Sequence, residues 1–316
     1  MSEEPSQKMQ CMEVWGGSQL TARGVEFGGL DAWVYSKPYG NARHGGDVYY
    51  ASSCATGRIS RLLLADVAGH GSAVASTAAD LRTLMRRFVN RLDHTEFVRL
   101  LNQHFTTLSR DGAFATAVVA TFFEPTRRLT LCNAGHPRPL VYRAARKQWD
   151  FLGQESSAPR SAPTNIPLGL LHMSEYDQFD IELEPGDRVL SFTDALIESS
   201  DADGEMLGEE GVLRIVRLVG DAEPRVLVGL LLGEIADRHP GNLSDDDVTV
   251  LIVTATGRQL RYPLREKLRA AGRLLRMLIG SIHPRAERAP LPDANMANIG
   301  GAIIPALARR WRAGRK

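Results

Sequence analysis

The sequence contains little cysteine, and its three cysteines argue against a disulfide-bonded scaffold. Cys11, Cys54 and Cys132 are far apart, odd in number and form no Cys-x-x-Cys pair. This usage predicts reduced thiols in an intracellular protein. Long hydrophobic runs are absent too, since no uncharged apolar stretch approaches the roughly 18 to 20 residues that span a bilayer. Residues 1–10 are polar with three charged side chains, so we expect no secretory signal peptide.

The remaining composition is that of a globular protein with an uneven charge distribution. The 316 residues are 43% hydrophobic, which allows one large domain with an appendage or two small domains. Residues 257–316 contain 14 basic and three acidic residues, a net charge of +11. Residues 1–256 contain 24 basic and 34 acidic residues, a net charge of −10. Such a division predicts an acidic body and a basic tail that meets an anionic surface.

Apolar periodicity predicts many strands and two pairs of helices. Residues 1–28 are weakly patterned. Strands are predicted at 31–37, 48–53, 61–67, 114–123, 128–133, 139–143, 188–193 and 248–254. Helices are predicted at 72–91, with Ser72 as N-cap, and at 95–108, 209–219 and 224–238. Few β-α-β alternations occur, which favours a layered α+β domain.

Four aspartates lie at the edges of predicted apolar strands: Asp47, Asp66, Asp194 and Asp246. A buried carboxylate is costly unless a cation or hydrogen-bond donors receive it. Carboxylates without neighbouring Cys or repeated His spacing suit Mg²⁺ or Mn²⁺ rather than Zn²⁺. Two such ions about 3.5 to 4 Å apart clamp a phosphoryl group during in-line displacement. The pattern therefore predicts phosphate-ester hydrolysis without a covalent intermediate.

A set of short motifs in fixed order strengthens this interpretation. The chain carries GGD at 45–47, LADVAGHG at 64–71, FAT at 114–116, NAGHP at 133–137, PLG at 167–169, PGD at 185–187, TD at 193–194 and DDVT at 246–249. In this order the motifs resemble those of bacterial PPM-type serine/threonine phosphatases, relatives of protein phosphatase 2C, and most closely the SpoIIE-like branch. The resemblance covers residues 31–255.

The resemblance implies a four-layer α-β-β-α sandwich of two antiparallel sheets flanked by helices, with two Mn²⁺ or Mg²⁺ ions at one end. By position, Asp66 would bridge both ions and the Val67 carbonyl would bind one. Asp194 and Asp246 would bind the other ion, and Asp47 would hold the first directly or through water. Asp66 and Asp194 would be the catalytic residues of this site.

The resemblance also implies the reaction. A metal-activated water would attack phosphoserine or phosphothreonine, usually on a small anti-anti-sigma-type regulator. The family usually has glycine after the Thr-Asp acid, where this chain has Ala195. The branch often carries an N-terminal sensory domain, for which about 30 residues are too few.

Several residues keep alternative interpretations. Asp66 also fits an acid that caps the following turn, and Asp246 is flanked by Asp245 and Asp247. Arg43 is a candidate for binding the substrate phosphate, because a guanidinium suits that geometry. An exposed arginine without a role is the alternative. His70 and His136 adjoin glycines, which is more typical of structural residues than of general acids.

We expect an N-terminal extension at 1–30, a phosphatase domain at 31–256 and a basic amphipathic tail at 257–316. The tail suits a membrane surface, a protein partner or the acidic body, whereas nucleic acid is disfavoured. The leading hypothesis is a cytoplasmic phosphatase with a phosphoprotein substrate, with peripheral membrane association left open. The alternatives are a catalytically silent regulator that binds a phosphoprotein and a membrane-surface scaffold.

Overall fold

The computed structural model describes residues 7–9, 14–53, 58–68, 74–88, 94–108, 112–153 and 164–258. These ranges contain thirteen strands and five α-helices. In chain order the strands are β1 (Gln7–Lys8), β2 (Val14–Gly17), β3 (Thr21–Phe27), β4 (Leu30–Lys37), β5 (Asp47–Ser53), β6 (Ile59–Val67), β7 (Ala115–Phe123), β8 (Arg128–Ala134), β9 (Leu140–Arg143), β10 (Gln148–Phe151), β11 (Phe179–Glu182), β12 (Arg188–Phe192) and β13 (Val248–Ala255). The helices are α1 (Ala75–Phe88), α2 (His94–Leu108), α3 (Ala195–Glu198), α4 (Gly208–Val219) and α5 (Pro224–Ala236).

The described strands form two sheets. The larger sheet has the order β1-β3-β4-β13-β12-β9-β10, and the smaller has the order β11-β8-β7-β6-β5-β2. All neighbours run antiparallel except β1 and β3, which pair in parallel over two residues. The predicted antiparallel architecture is therefore confirmed.

Three hydrophobic clusters define four layers. Between the sheets, Leu62 and Leu64 of β6 pack with residues of the larger sheet such as Leu251. On the outer face of the smaller sheet, Leu63 and Ala65 pack with residues of α1 and α2. The outer face of the larger sheet packs with α4 and α5 in the same way. Alternate residues of β6 thus enter two cores, because successive strand side chains point to opposite faces.

The predicted helices and central strands are present, with ends shifted by a few residues. The helix predicted at 72–91 is described as Ala75–Phe88, and the predicted N-cap Ser72 lies outside the described residues. The helix predicted at 224–238 ends at Ala236. Cys132 is buried and forms no disulfide with another described residue, whereas Cys11 and Cys54 lie outside the described residues.

The segment predicted as an N-terminal extension, residues 1–30, contributes strands to both sheets. β3 pairs with β4 along its whole length, and β2 pairs with β5. The division that begins the domain at residue 31 therefore separates strands that the fold joins. These strands contain Gly and charged residues, so their pairing depends on neighbours rather than on their own apolar pattern.

Most of the predicted tail lies beyond the described residues, which end at Arg258. Arg258 itself lies against the body, where its guanidinium is paired with Asp31. Within the described part of the chain, no helix has both the length and the apolar character needed to cross a membrane.

Candidate functional site

Asp47 and Asp66 lie directly opposite each other at one end of the smaller sheet. The β5–β6 register pairs Asp47 with Asp66, and the β6–β7 register pairs Asp66 with Thr116. β5 begins at Asp47 and β6 ends at Val67, so this row lies at the edge where both strands meet the loops. Like charges in directly opposed positions destabilise an antiparallel pair. The pair therefore requires either a cation or a bound proton.

Asp194 and Asp246 approach this row from the larger sheet. Asp194 follows the end of β12, and Asp246 precedes the start of β13. These ends are adjacent because β12 and β13 are antiparallel neighbours. Asp194 and Asp246 are close enough to Asp66 for their repulsion to raise its pKa. The structure thus brings together the four aspartates that the sequence singled out.

A chain of buried hydroxyl groups connects the two sheets beneath the aspartates. The Thr193 hydroxyl donates to Asp47 Oδ2 at 2.9 Å. The same hydroxyl oxygen accepts the backbone N–H of Thr249 at 2.9 Å, and the Thr249 hydroxyl donates to Ser36 Oγ at 3.0 Å. All four residues are at least 98% buried. Asp47 is therefore oriented by hydroxyls from the opposite sheet.

Burial and mutual repulsion disfavour the charged form of the clustered carboxyl groups. Burial is the main cause that raises the pKa of Asp66 to about 10, and Asp47, Asp194, Asp246 and Asp247 add to the effect by repulsion. Burial also raises the pKa of Asp47 well above its ordinary value and raises the pKa of Asp194. The site consequently favours any species that supplies positive charge.

This donor set fits a hard divalent cation. Among salt bridges between described residues, none involves Asp47, Asp66 or Asp194. Buried carboxylates together with a backbone carbonyl are the ligand types that Mg²⁺ and Mn²⁺ prefer. In the described ranges, no group of three or more His, Cys, Asp or Glu side chains is already arranged to hold a metal ion.

The contacts of the three consecutive aspartates differ. Asp245 is exposed, and half-buried Asp246 accepts the N–H of Asp247 at 2.7 Å. Asp247 is 2% exposed and accepts the backbone N–H groups of Tyr39 and Gly46. Asp246 also acts more strongly on the pKa of Asp66 than Asp247 does. These differences support Asp246 as the ligand candidate.

Val67 and Arg43 are the other two residues that the sequence assigned to the site. Val67 is buried at the end of β6, and its N–H donates to the Gly46 carbonyl at 3.3 Å. Arg43 is exposed in the loop that leads into β5. The loop places Arg43 four residues before Asp47, and its role as a phosphate ligand stays a prediction.

His136 is buried in a hydrogen-bonded position behind the acidic row. Its Nδ1 lies 2.8 Å from the hydroxyl of Thr116, while its backbone N–H and carbonyl bond to the Asn133 side chain. Burial lowers the pKa of His136 to about 3, against a smaller opposing effect of the Phe192 backbone. A neutral buried imidazole supports the structural interpretation. His70 lies outside the described residues.

Ala195 begins α3, and Asp194 before it has ordinary right-handed helical angles. Ala195 is not among the described residues with positive φ. A helical start accommodates alanine as readily as glycine. The replacement of the usual glycine therefore causes no backbone strain next to Asp194.

Sequence reasoning missed the supporting residues Thr193, Thr249 and Asp247. The available signal was a polar residue within an otherwise apolar strand, since Thr249 interrupts the run of β13. A buried hydroxyl in such a strand needs a partner, which marks it as a supporting group. Which group it supports depends on the packing of the two sheets.

The comparisons with known proteins identify a family and a fold. The family model of Stage II sporulation protein E (SpoIIE) matches residues 57–256, more than half of the 316-residue chain. A comparison with curated proteins gave no match.

Several solved structures share the fold. The RsbU and RsbW domains of Rv1364c from Mycobacterium tuberculosis are 20% identical, with a TM-score of 0.61 over 84% of this chain and 76% of that one. RsbX in complex with magnesium is 16% identical, with a TM-score of 0.53 over 75% of this chain and 100% of that one. The PP2C phosphatase domain of SpoIIE from Bacillus subtilis, solved with a fragment of its regulatory domain, is 15% identical, with a TM-score of 0.56 over 78% of this chain and 64% of that one. The chain belongs to the SpoIIE family and has the fold of PP2C-type phosphatases.

Proposed function

We propose that this protein is a metal-dependent protein serine/threonine phosphatase. The observation that carries the proposal is the convergence of Asp47, Asp66, Asp194 and Asp246 at one end of a PP2C-type sandwich. Hydrolysis of a phosphate ester at such a site needs concentrated positive charge around the phosphoryl oxygens, and buried carboxylates recruit that charge as cations.

The four aspartates and the Val67 carbonyl would together bind two Mn²⁺ or Mg²⁺ ions. Asp66 would bridge the ions, and the Val67 carbonyl and Asp47 would hold one of them. Asp194 and Asp246 would hold the other. Bound ions of this kind supply a water whose pKa is lowered toward neutrality. The magnesium in the RsbX structure is a property of that protein that supports the same ligand chemistry here.

The chain's own groups prepare the site for the cations. Asp66, with its pKa raised to about 10, gives up its proton when a cation binds, so metal uptake releases protons. The Thr193 hydroxyl holds Asp47 Oδ2 in place, which leaves the other carboxylate oxygen as a ligand. Arg43 would bind phosphate oxygens of the substrate from the loop before β5.

The substrate class we propose is a phosphoserine- or phosphothreonine-bearing regulatory protein of the anti-anti-sigma type. Family membership supports a phosphoprotein substrate. Incubation with a ³²P-labelled protein of this type, compared with a denatured sample of the same protein, tests whether a folded partner is required. Equal release from both samples would contradict recognition of a folded regulator.

The activity is tested with p-nitrophenyl phosphate and a phosphoserine peptide, with Mn²⁺ and with EDTA. We expect Mn²⁺-dependent hydrolysis that falls at least about 100-fold in Asp66→Asn and Asp194→Asn, because each removes a charged ligand. Asp203→Asn, an exposed acid elsewhere on the surface, is the matched control. A folded wild-type protein that is inactive with every divalent metal would favour the silent regulator.

The basic tail is proposed to bring the protein to an anionic surface. The net charge of +11 over residues 257–316 supports electrostatic attraction to acidic lipid or protein. Co-sedimentation with anionic and neutral vesicles at low salt, using the full chain and a chain that ends at residue 258, tests the membrane. Equal binding of both chains would exclude the tail as the membrane contact.

A further inference from the structure

We propose that Asp247 is a positioning residue that fixes the loop before β5 and thereby places Asp47 and Arg43, an inference that rests on the proposed function. Nothing in the ligand set assigns a role to this carboxylate. Its contacts reach both ends of a loop that borders the site, which distinguishes it from its two acidic neighbours.

Both oxygens of Asp247 are occupied by backbone donors. The Tyr39 N–H donates to Oδ1 at 2.5 Å, and the Gly46 N–H donates to Oδ2 at 2.5 Å. The Asp47 N–H approaches Oδ2 at 3.4 Å. One side chain therefore holds three backbone groups spread over nine residues.

These anchors bracket the exposed part of the loop. Arg43 and His44 are exposed between the two anchored positions, and β5 begins directly after them at Asp47. The carbonyl of Gly46 in turn accepts the N–H of Val67, the residue after Asp66. Asp247 is thus connected through Gly46 to both acidic strands of the smaller sheet.

Gly45 completes the arrangement sterically. A Cβ atom at this position would lie 2.4 Å from both oxygens of Asp247, far inside van der Waals contact. Gly45 is not among the described glycines with positive φ. Position 45 therefore requires glycine because the Asp247 carboxylate approaches closely, and not because of its backbone conformation. Gly45 of the GGD motif and Asp247, the second aspartate of the DDVT motif, therefore lie in direct contact.

The side-chain chemistry makes this contact specific for a carboxylate. Asparagine has the same size but only one acceptor oxygen, so its NH₂ group would face one of the backbone donors. In Asp247→Asn at least one end of the loop is released. A residue that merely stabilised the fold would lower the free energy of unfolding without changing the affinity of folded protein for metal.

The test compares Asp247→Asn and Gly45→Ala with two matched controls. Asp245→Asn removes an equal charge from an exposed neighbour, and Gly229→Ala adds a methyl group where nothing lies within 4 Å. The measurements are amide hydrogen exchange of the 39–47 segment, Mn²⁺ affinity by calorimetry, and hydrolysis of p-nitrophenyl phosphate as a function of Mn²⁺.

We expect faster exchange at Tyr39 and Gly46 and at least about 10-fold weaker Mn²⁺ binding in both variants but not in the controls. Activity should recover partly at high Mn²⁺. The Gly45→Ala/Asp247→Asn double variant should resemble the worse single variant, because both break one contact. Wild-type exchange or wild-type Mn²⁺ affinity in folded Asp247→Asn overturns the proposal.

The outcomes separate this inference from the proposed function, because exchange and metal binding require no turnover. Wild-type protein that binds Mn²⁺ without hydrolysing any ester contradicts only the proposed function. Wild-type protein that binds neither Mn²⁺ nor Mg²⁺ contradicts both.

Discussion

The hydroxyl of Thr193 donates a hydrogen bond to Oδ2 of Asp47 at 2.9 Å, across the interior of the sandwich. Thr193 follows β12 of the larger sheet, whereas Asp47 begins β5 of the smaller one. The site is consequently assembled between the sheets, and its geometry depends on how they pack.

Replacement of Thr193 by valine should weaken both the fold and the site. The variant keeps the shape but removes the donor to Asp47 and the acceptor of the Thr249 N–H. A buried group left without its partner costs about 1–3 kcal/mol. Urea unfolding should show this loss, and Thr193→Ser should restore most of it because it retains the hydroxyl. Equal stability of Thr193→Val and wild type would show that the bond contributes nothing.

Asp66→Asn should stabilise the metal-free protein while abolishing activity. The raised pKa of Asp66 means that the folded state holds a proton which the unfolded chain releases above pH 3.8. The contribution of Asp66 to wild-type stability therefore declines as the pH rises from 3.8 toward about 10, by roughly 1 kcal/mol per pH unit. The asparagine side chain of the variant does not titrate, so its contribution to stability does not decline with pH.

The measurement is the free energy of unfolding in EDTA at pH 5, 7 and 9. The advantage of Asp66→Asn over wild type should widen with pH, whereas exposed Asp203→Asn should show no such trend. A constant difference across this range would mean that Asp66 is ionised in the folded protein.

His136 should make the protein less stable in acid. Burial lowers its pKa to about 3 from the ordinary 6.5, so below pH 6.5 the unfolded chain gains a proton that the folded chain does not. Stability is then lost as the pH falls from 6.5 toward 3. Between pH 7 and pH 5 the loss is about 2 kcal/mol. His136→Gln should remove this part of the slope, while exposed His239→Gln should not.

Asn102→Ala should loosen the loop that follows the PLG motif. The fully buried Asn102 side chain donates to the Leu171 carbonyl at 2.8 Å and accepts the Gly169 N–H at 2.9 Å. Loss of both bonds should cost about 1–3 kcal/mol. Hydrogen exchange at Gly169 should rise relative to Gln103→Ala, the adjacent position on α2. Unchanged exchange would show that other contacts hold the loop.

The central elements were predictable because their patterns are strong. β6 reads as a continuous apolar run because both of its faces are buried, and α2 has a clear apolar stripe. β3 was not predicted because Arg23, Gly24 and Glu26 interrupt its apolar pattern, although the strand pairs with β4 along its whole length. Its place in the sheet comes from its neighbour, and local sequence carries little of that information.

The candidate site was likewise predictable only in part. Four aspartates stand out in the sequence because burying a carboxylate at the end of an apolar strand costs free energy unless a cation or a hydrogen-bond donor contacts it. They are Asp47, Asp66, Asp194 and Asp246. The sequence pointed to Asp246 through its match to the DDVT motif, although Asp245 and Asp247 are acids of the same type beside it. The structure separates them by burial and by hydrogen-bond partners.

The sequence alone determined the residue types of the site, the motif order and the alternation of apolar residues that builds two sheets. Only the tertiary structure decided that Thr193 supports Asp47 and that Asp247 requires Gly45. Each of these contacts joins residues about 150 to 200 positions apart. Their partners are selected by the packing and register of distant strands, which no local pattern records.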